Sequence, residues 1–387
     1  MGLAAACGGR TDVAGPGARD GGATGGGTAG GSGGNVGGGG NVGGGGNVGG
    51  GGNVGGGGNV GGGGGNVGGG GNVGGGGNVG GGGGNVGGGG NVGGGGNVGG
   101  GGALDAGPTA VVLPARLPLT LHEPGVAYDG QSVWVIGGIS TNSVVSNAIT
   151  RFDPGTETVT PTPFTLPAPR WAHSVGVMNG DLFIFGGLGG GTSIVRFRPS
   201  DGGVSTMNSQ IPSGRYNMGL ATVGDAFFLV GGAGQSQILK YEPLVDRMTV
   251  LMSGLPTGKE SPDCFYDGAL IHCLGGNIST DVIRIDPRDG GLSFGSMGLP
   301  LPAWGPAFFV LNGSGWLYGG QLGMGAPLTS VTRYDPLTGS STVFTNVPVL
   351  PHHGRSAVTV GNRAYIIGGS PAAGSPMRDT IVRFELR

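Results

Sequence analysis

Short apolar runs that close with two glycines occur six times in the chain. The runs span residues 133–138, 182–187, 227–232, 270–276, 315–320 and 364–369. Their diglycines are 49, 45, 44, 44 and 49 residues apart. A hydrophobic pattern that returns at such a period is typical of a repeat architecture. We therefore expect one repeated structural unit in this part of the chain.

Each run is preceded by an apolar stretch and a pair of turn-forming residues. The six pairs are Asp129-Gly130, Asn179-Gly180, Gly224-Asp225, Asp267-Gly268, Asn312-Gly313 and Gly361-Asn362. Because Asn, Asp and Gly tolerate positive φ, such pairs favour two-residue hairpin turns. The diglycine run is therefore predicted to be the second strand of a hairpin.

Cys264 and Cys273 fall in the fourth predicted hairpin. With Asp267-Gly268 as a two-residue turn, Cys264 faces Ile271 and Cys273 becomes a diagonal neighbour. A disulfide needs a Cα separation of roughly 4.4–6.8 Å, and a diagonal pair lies near or beyond that limit. We therefore predict that these two cysteines do not form a disulfide.

A third strand in each repeat ends in a basic, an apolar and usually an acidic residue, followed in most copies by proline. Arg151-Phe152-Asp153-Pro154 and Arg333-Tyr334-Asp335-Pro336 are two of the copies. Asp-Pro suits the first two positions of a type I turn, and a β-branched stretch after it forms a fourth strand. Four antiparallel strands in about 45 residues describe one blade of a β-propeller.

Residues 109–387 resemble kelch repeats, in the kelch and galactose-oxidase-like propeller superfamily. The diglycines and the aromatic-Asp-Pro step carry the resemblance, and 170–174, Arg-Trp-Ala-His-Ser, resembles the Arg-x-x-His-Ser opening of the repeat. The resemblance implies an all-β fold, a six-bladed kelch-type β-propeller at residues 104–387.

The last repeat ends after its third strand, so its blade lacks a fourth. The segment 109–113 precedes Leu117-Pro118 much as 341–344 precedes Leu350-Pro351. We expect this N-terminal strand to complete the last blade, since the ring would otherwise keep an open edge.

Residues 21–103 are predicted to form a disordered linker. Gly makes up 103 of the 387 residues, and Asn-Val-Gly-Gly-Gly-Gly repeats eleven times between Asn35 and Val98. Gly is costly to order and Val is the single apolar anchor of each repeat, so a flexible tether fits better than a folded β-helix.

Residues 1–20 resemble the end of a bacterial lipoprotein signal, with small residues before Cys7, although only six residues precede that cysteine. The resemblance implies lipidation of Cys7 and a place in the bacterial cell envelope, or secretion. Net charge is −2, which favours no nucleic-acid partner and leaves a lipid anchor as the expected membrane contact. The propeller is expected to be monomeric.

Functional residues are expected on one face, where the connections between blades meet the loops between second and third strands. These loops are longest in blades five, six and one, which suggests a wall over half of the face. The candidates are Arg170, Trp171, Arg215, Tyr216, Lys259 and Glu260 on the low side, and His122, Glu123, Trp304, His352, His353 and Arg355 near the wall. Arg beside aromatic rings suits a carboxylate-bearing ligand. The alternative is that these basic residues brace adjacent loops.

No metal or other cofactor is predicted. The galactose oxidases carry copper and a Tyr–Cys cross-link, but here Cys264 and Cys273 lie far around the ring from His352 and His353. Adjacent histidines often point apart, and a metal needs a third ligand. His173 and His272 are interpreted as hydrogen-bonded structural residues.

Two functions fit this pattern, and the first is favoured. One is a non-catalytic binding or scaffolding module, tethered outside the cytoplasm, that recognises a protein or glycan ligand. The other is a carbohydrate-active enzyme similar to the periplasmic sialic-acid epimerases. That enzyme would need an acid–base pair, for which Glu123 or Glu260 with Arg170 or Arg215 are the candidates.

Overall fold

A computed structural model of the chain describes residues 107–322, 326–354, 356–371 and 375–386. These residues lie in the unit Leu104–Arg387 and form an all-β, six-bladed propeller. Their regular structure consists of strands, and none of them belongs to a helix suited to crossing a bilayer. The predicted disordered linker and Cys7 lie outside the described residues.

The first strand, β1, spans Pro108–Leu121. Blades one to three follow it as consecutive four-stranded antiparallel sheets. Their strands are β2 (Gly125–Tyr128), β3 (Val133–Ile136), β4 (Ala148–Asp153), β5 (Thr158–Thr165), β6 (Ser174–Met178), β7 (Asp181–Phe185), β8 (Ser193–Arg198), β9 (Gly203–Gln210), β10 (Gly219–Val223), β11 (Ala226–Val230), β12 (Gln237–Glu242) and β13 (Arg247–Gly254).

Blades four to six have the same order from inside to outside, with a small two-stranded sheet added beside blade five. Their strands are β14 (Asp263–Tyr266), β15 (Ile271–Leu274), β16 (Val282–Ile285), β17 (Leu292–Phe294), β18 (Ala303–Trp304), β19 (Ala307–Leu311), β20 (Ser314–Tyr318), β21 (Gln321–Leu322), β22 (Val331–Tyr334), β23 (Ser341–Phe344), β24 (Ala357–Val360), β25 (Arg363–Ile367) and β26 (Arg378–Leu386). The small sheet pairs β18 with β21.

The N-terminal strand closes the ring, as predicted. β1 pairs antiparallel with β26, placing Val112 opposite Val382, and the sheet order is β1-β26-β25-β24. An ion pair also joins blade six to blade one. Arg383 Nη1 lies 2.7 Å from Glu157 Oε1, a carboxylate of the β4–β5 turn.

The apolar core lies between successive blades. The second strand of each blade is sandwiched between neighbours, so β3 and β11 are buried along their whole length. Trp134 of blade one packs against Phe197 of blade two with ring centroids 5.0 Å apart. Such contacts explain why the second strands are continuous apolar runs rather than alternating ones.

The diglycines lie where neighbouring blades approach closely. Both glycines have positive φ in all six copies, for example 65° at Gly231 and 87° at Gly232. A Cβ at Gly231 would lie 2.6 Å from the Lys259 carbonyl oxygen of the next blade. Positive φ and this lack of space together require glycine.

The predicted two-residue hairpins form in four blades but not in blades one and four. Asn179-Gly180 connects Met178 to its partner Asp181 as expected. In blade four the paired residues are Tyr266 and Ile271, so the loop has four residues. Asp267 Oδ1 accepts hydrogen bonds from the N–H groups of Ala269 and Leu270, at 2.7 and 2.8 Å. Blade one has the same loop around Asp129.

The longer loop overturns the prediction for the two cysteines. It shifts the register so that Cys264 lies directly opposite Cys273, with Cα atoms 4.1 Å apart, and the two form a disulfide. The prediction was wrong because a two-residue turn was assumed, whereas the Asp267 side chain holds a four-residue one.

Candidate ligand-binding site

The connections that enter each blade share one backbone geometry. In five blades, the second glycine of the preceding blade donates a hydrogen bond to a carbonyl of the connection. The pairs are Gly138 N to Arg170 O, Gly187 N to Arg215 O, Gly232 N to Lys259 O, Gly320 N to His352 O and Gly369 N to Leu121 O, at 2.6–2.9 Å. The residues at this position are called the anchor residues: Leu121, Arg170, Arg215, Lys259, Ala303 and His352.

Two residues further on, every connection has a residue with positive φ: Glu123, Ala172, Asn217, Ser261, Gly305 and Gly354. These residues are linked from blade to blade by backbone hydrogen bonds. Ala172 N donates to Glu123 O at 3.1 Å, Asn217 N to Ala172 O at 2.8 Å, and Gly354 N to Gly305 O at 2.9 Å. These bonds form two runs between neighbouring blades, one from Glu123 to Ser261 and one from Gly305 to Gly354. Together they are called the belt, and they hold the residue before each belt position in place.

The residues between anchor and belt form the candidate site, here called the collar: His122, Trp171, Tyr216, Glu260, Trp304 and His353. Three ring contacts join four of its rings into an arc. The centroids of Trp171 and His122 are 6.2 Å apart, those of His122 and His353 5.1 Å, and those of His353 and Trp304 5.3 Å. His353 is buried and the others are half-buried. The collar is therefore a rigid, largely aromatic mouth at one end of the propeller.

Below the collar, a channel of about 430 Å³ runs along the axis between the first strands. Val126, Leu220, Phe309 and Val358 are among its apolar walls, and His173 lies at its upper end. Among the described residues, neither ring nitrogen of His173 has a hydrogen-bond partner. Burial lowers its pKa to about 3, so the ring is neutral at pH 7.

The expectation that His173 is hydrogen-bonded is therefore wrong, whereas the same expectation for His272 is confirmed. His272 Nε2 lies 2.8 Å from Asp267 Oδ2, and Nδ1 lies 3.0 Å from the Tyr334 hydroxyl. His173 instead packs against the glycine-lined edge of blade one, where a Cβ on Gly137 would lie 3.1 Å from its ring.

The basic anchor residues are buried beneath the loops of their own blades. Arg170 is 2% exposed and donates from Nη1 to Gly186 O at 3.1 Å and from Nη2 to Ser193 Oγ at 3.0 Å. Arg215 makes the equivalent bond to Gly231 O at 3.2 Å and a second one to Gln237.

Lys259 continues the same pattern in blade four. Its Nζ lies 2.7 Å from Asp281 Oδ2 and 3.2 Å from Ser279 Oγ. These three cations brace the loops that follow the diglycines.

Blade six places a histidine at the anchor position. His352 is 3% exposed, and its pKa falls to about 3, chiefly because of burial, with nearby His122, His353 and Arg378 lowering it further. Burial also lowers the pKa of both His122 and His353 to about 4. All three rings are therefore neutral at pH 7.

The sequence-predicted site residues thus divide into two layers. Trp171, Tyr216, Trp304 and His353 belong to the collar, and Arg170, Arg215, Lys259 and His352 to the anchor layer below it. Arg355 lies outside the described residues, as do parts of the long loops of blades five and six. Glu260 occupies a collar position, and Glu123 a belt position with Oε2 3.9 Å from His122 Nε2.

Sequence reasoning grouped anchor and collar residues together. What separates them is their distance in sequence from the positive-φ residue. In two connections that residue is a glycine, Gly305 or Gly354, and can be recognised in the sequence. In the other four it is not a glycine and cannot.

No group of three or more His, Cys, Asp or Glu side chains in the described part of the chain is arranged to hold a metal ion. No protein-family model matches the chain, and no curated protein is significantly similar to it.

Proposed function

We propose that this protein is a kelch-type propeller that acts as a non-catalytic binding module and recognises a protein or glycan ligand through the collar. One observation carries the proposal: aromatic rings from four successive blades converge on one mouth, and three of them, Trp171, His122 and Trp304, are half-buried there. Aromatic side chains with part of their surface exposed on a rigid scaffold are favoured in binding sites. The Arg-x-x-His-Ser sequence at 170–174 and the six diglycines support the kelch assignment.

A binding role also fits the way the cations are used. An epimerase-like enzyme would need Arg170 or Arg215 to face a substrate, whereas both guanidinium groups are engaged with carbonyl and side-chain oxygens of their own blades. Binding through the collar leaves these contacts intact.

We also propose that the propeller works outside the cytoplasm, held at the cell envelope by a lipid on Cys7 and the Gly-rich linker. The Cys264–Cys273 disulfide supports this location, because disulfides persist in oxidising compartments. Replacing Cys7 with Ser should release the protein from the membrane fraction of the cells that produce it. Retention of the Cys7→Ser protein in that fraction would contradict the anchor.

The binding role can be tested with isolated cell envelopes and the full chain carrying Cys7→Ser, so that a lipid anchor cannot itself cause sedimentation. We expect the purified protein to sediment with envelopes and the double variant Trp171→Ala/Trp304→Ala to stay in the supernatant. Leu337→Ala is the matched control, because Leu337 is 91% exposed in the β22–β23 turn, at the other end of blade five. Equal sedimentation of all three proteins would overturn the collar as the binding surface.

A further inference from the structure

The dimensions of the collar restrict what can enter it. Neighbouring rings lie 5.1–6.2 Å apart along the measured arc. Each of these rings offers a face about as wide as one six-membered ring. The rings are also tilted, by 38°, 45° and 60° between neighbours, so they form a funnel rather than a flat platform. The geometry suits a single small ring more than a folded protein surface.

The described cations near this mouth are held by neighbouring groups. Lys259 is paired with Asp281. The guanidinium groups of Arg170 and Arg215, which form no ion pair among the described residues, are matched in number by the carboxylates of Glu123 and Glu260. Arg170, Arg215 and Lys259 are held below the collar. The nearby Arg378 donates to the Pro351 carbonyl oxygen.

The histidines add hydrogen-bonding capacity without charge. His122 and His353 are neutral imidazoles at pH 7, and each neutral ring has one donor and one acceptor nitrogen. Among the described residues, the buried Nδ1 of His353 lacks a hydrogen-bond partner, whereas the His122 ring interacts with the His353 backbone. A ligand for this funnel therefore needs an apolar face to lie against the indole rings and uncharged polar groups at its edge.

We propose that the collar binds an uncharged saccharide ring, a pyranose of a neutral glycan, stacked against Trp171 or Trp304. A pyranose has C–H faces that pack on aromatic rings and hydroxyl groups at its rim that exchange hydrogen bonds with imidazole nitrogens. An acidic sugar finds no exposed cation in the described mouth. A quaternary ammonium ion finds aromatic faces but also the two buried guanidinium charges. The inference rests on the proposed binding function and specifies its ligand.

The tryptophans provide a direct readout. The chain has four of them. Trp134 and Trp316 are 5% and 3% exposed and lie in the core, whereas Trp171 and Trp304 are half-buried in the collar. A change in intrinsic fluorescence on adding a ligand therefore reports mainly on the collar.

The experiment titrates the full chain at pH 7 with neutral hexoses, N-acetylhexosamines and their short oligomers. The comparison ligands are glucuronic acid, N-acetylneuraminic acid and choline. We expect saturable fluorescence changes with at least one neutral saccharide. The charged ligands should bind at least about 10-fold more weakly. Because no net charge is involved, the dissociation constant should be the same at about 50 mM and about 500 mM salt.

Variants locate the site. Trp171→Leu and Trp304→Leu should each raise the dissociation constant of the neutral saccharide by about 10-fold. Leu337→Ala should leave it unchanged. Isothermal titration calorimetry replaces fluorescence for the tryptophan variants, and thermal melts confirm that they are folded.

Tighter binding of an acidic sugar or of choline overturns the proposal, as does the absence of saturable binding by any neutral saccharide. The envelope assay separates this failure from failure of the binding function. Collar-dependent sedimentation without saccharide binding would leave the binding function standing and assign it another ligand. Equal sedimentation of the parent protein and the collar variants would contradict the binding function itself.

Discussion

Cys264 lies directly opposite Cys273 in the β14–β15 hairpin, and their sulfurs form the disulfide of blade four. The pairing depends on Asp267, whose carboxylate accepts two backbone hydrogen bonds and makes the turn four residues long. The other oxygen of the same carboxylate lies 2.8 Å from the His272 ring. One aspartate thus determines the register that brings the cysteines together.

We predict that the disulfide stabilises the propeller by about 2–3 kcal/mol, the loop-entropy contribution for a loop of this length. The double variant Cys264→Ala/Cys273→Ala should lose that much free energy of unfolding in urea denaturation. Cys7→Ser is the matched control and should unfold like the parent protein. If alkylation and mass spectrometry of the native, unreduced protein found both Cys264 and Cys273 as free thiols, the bond would be disproved.

Ring closure by β1 predicts a large difference between two truncations. Removing residues 1–116 takes away the strand residues that pair with β26 from Val382 to Leu386, so the ring should open between blades six and one. We expect a loss of several kcal/mol, a large part of the ~5–15 kcal/mol of a typical domain, or aggregation. Removing residues 1–103 should leave stability unchanged. Equal melting temperatures and monomeric behaviour for the two truncated proteins would show that β1 is not needed for closure.

A side chain at a diglycine position should destabilise the fold. One pair of variants separates the effect of close blade approach from that of the positive φ. Gly231→Ala places a Cβ 2.6 Å from the Lys259 carbonyl oxygen, whereas Gly234→Ala, at a similar φ of 75°, meets nothing within 4 Å. Gly234→Ala should lower the free energy of unfolding by about 1–2 kcal/mol, because the left-handed backbone is unfavourable for alanine. Gly231→Ala should lower it by about 2 kcal/mol more, because the neighbouring blades must also move apart. Equal losses in denaturant titrations would mean that close blade approach is unimportant here.

The buried histidines predict a loss of stability in mild acid. His122, His173, His352 and His353 have pKa values of about 3–4 in the folded protein and about 6.5 when unfolded. Between these values the unfolded chain binds more protons, so the free energy of unfolding rises with pH and falls as pH drops below about 6.5. Each histidine contributes up to about 1.4 kcal/mol per pH unit in this window.

His173→Met tests this, because Met218 occupies the equivalent position in blade three. Urea denaturation at pH 4.5, 5.5 and 7 should show a slope smaller by up to about 1.4 kcal/mol per pH unit in the variant. An unchanged slope would mean that His173 is not held neutral by the fold.

Much of the fold is determined by local sequence. The period of the diglycines predicts six repeats, and the strand patterns within each repeat predict four strands. The last repeat lacks a fourth strand, which predicts that residues 109–113 close the ring. These features follow from the sequence because each one is a steric or hydrophobic requirement of a single segment. Gly231 is the clearest case, since both its φ and its surroundings exclude a side chain.

The tertiary structure decided the hairpin register and the composition of the site. Asp129 and Asp267 resemble the other turn residues in sequence, but their side-chain hydrogen bonds lengthen the loops, and register depends on such loop length. In the same way, Arg170 and Trp171 are adjacent in sequence, yet one is buried under its own blade and the other joins the collar. Only the belt of hydrogen bonds between blades, which links residues more than forty positions apart, determines which of two neighbouring side chains reaches the mouth.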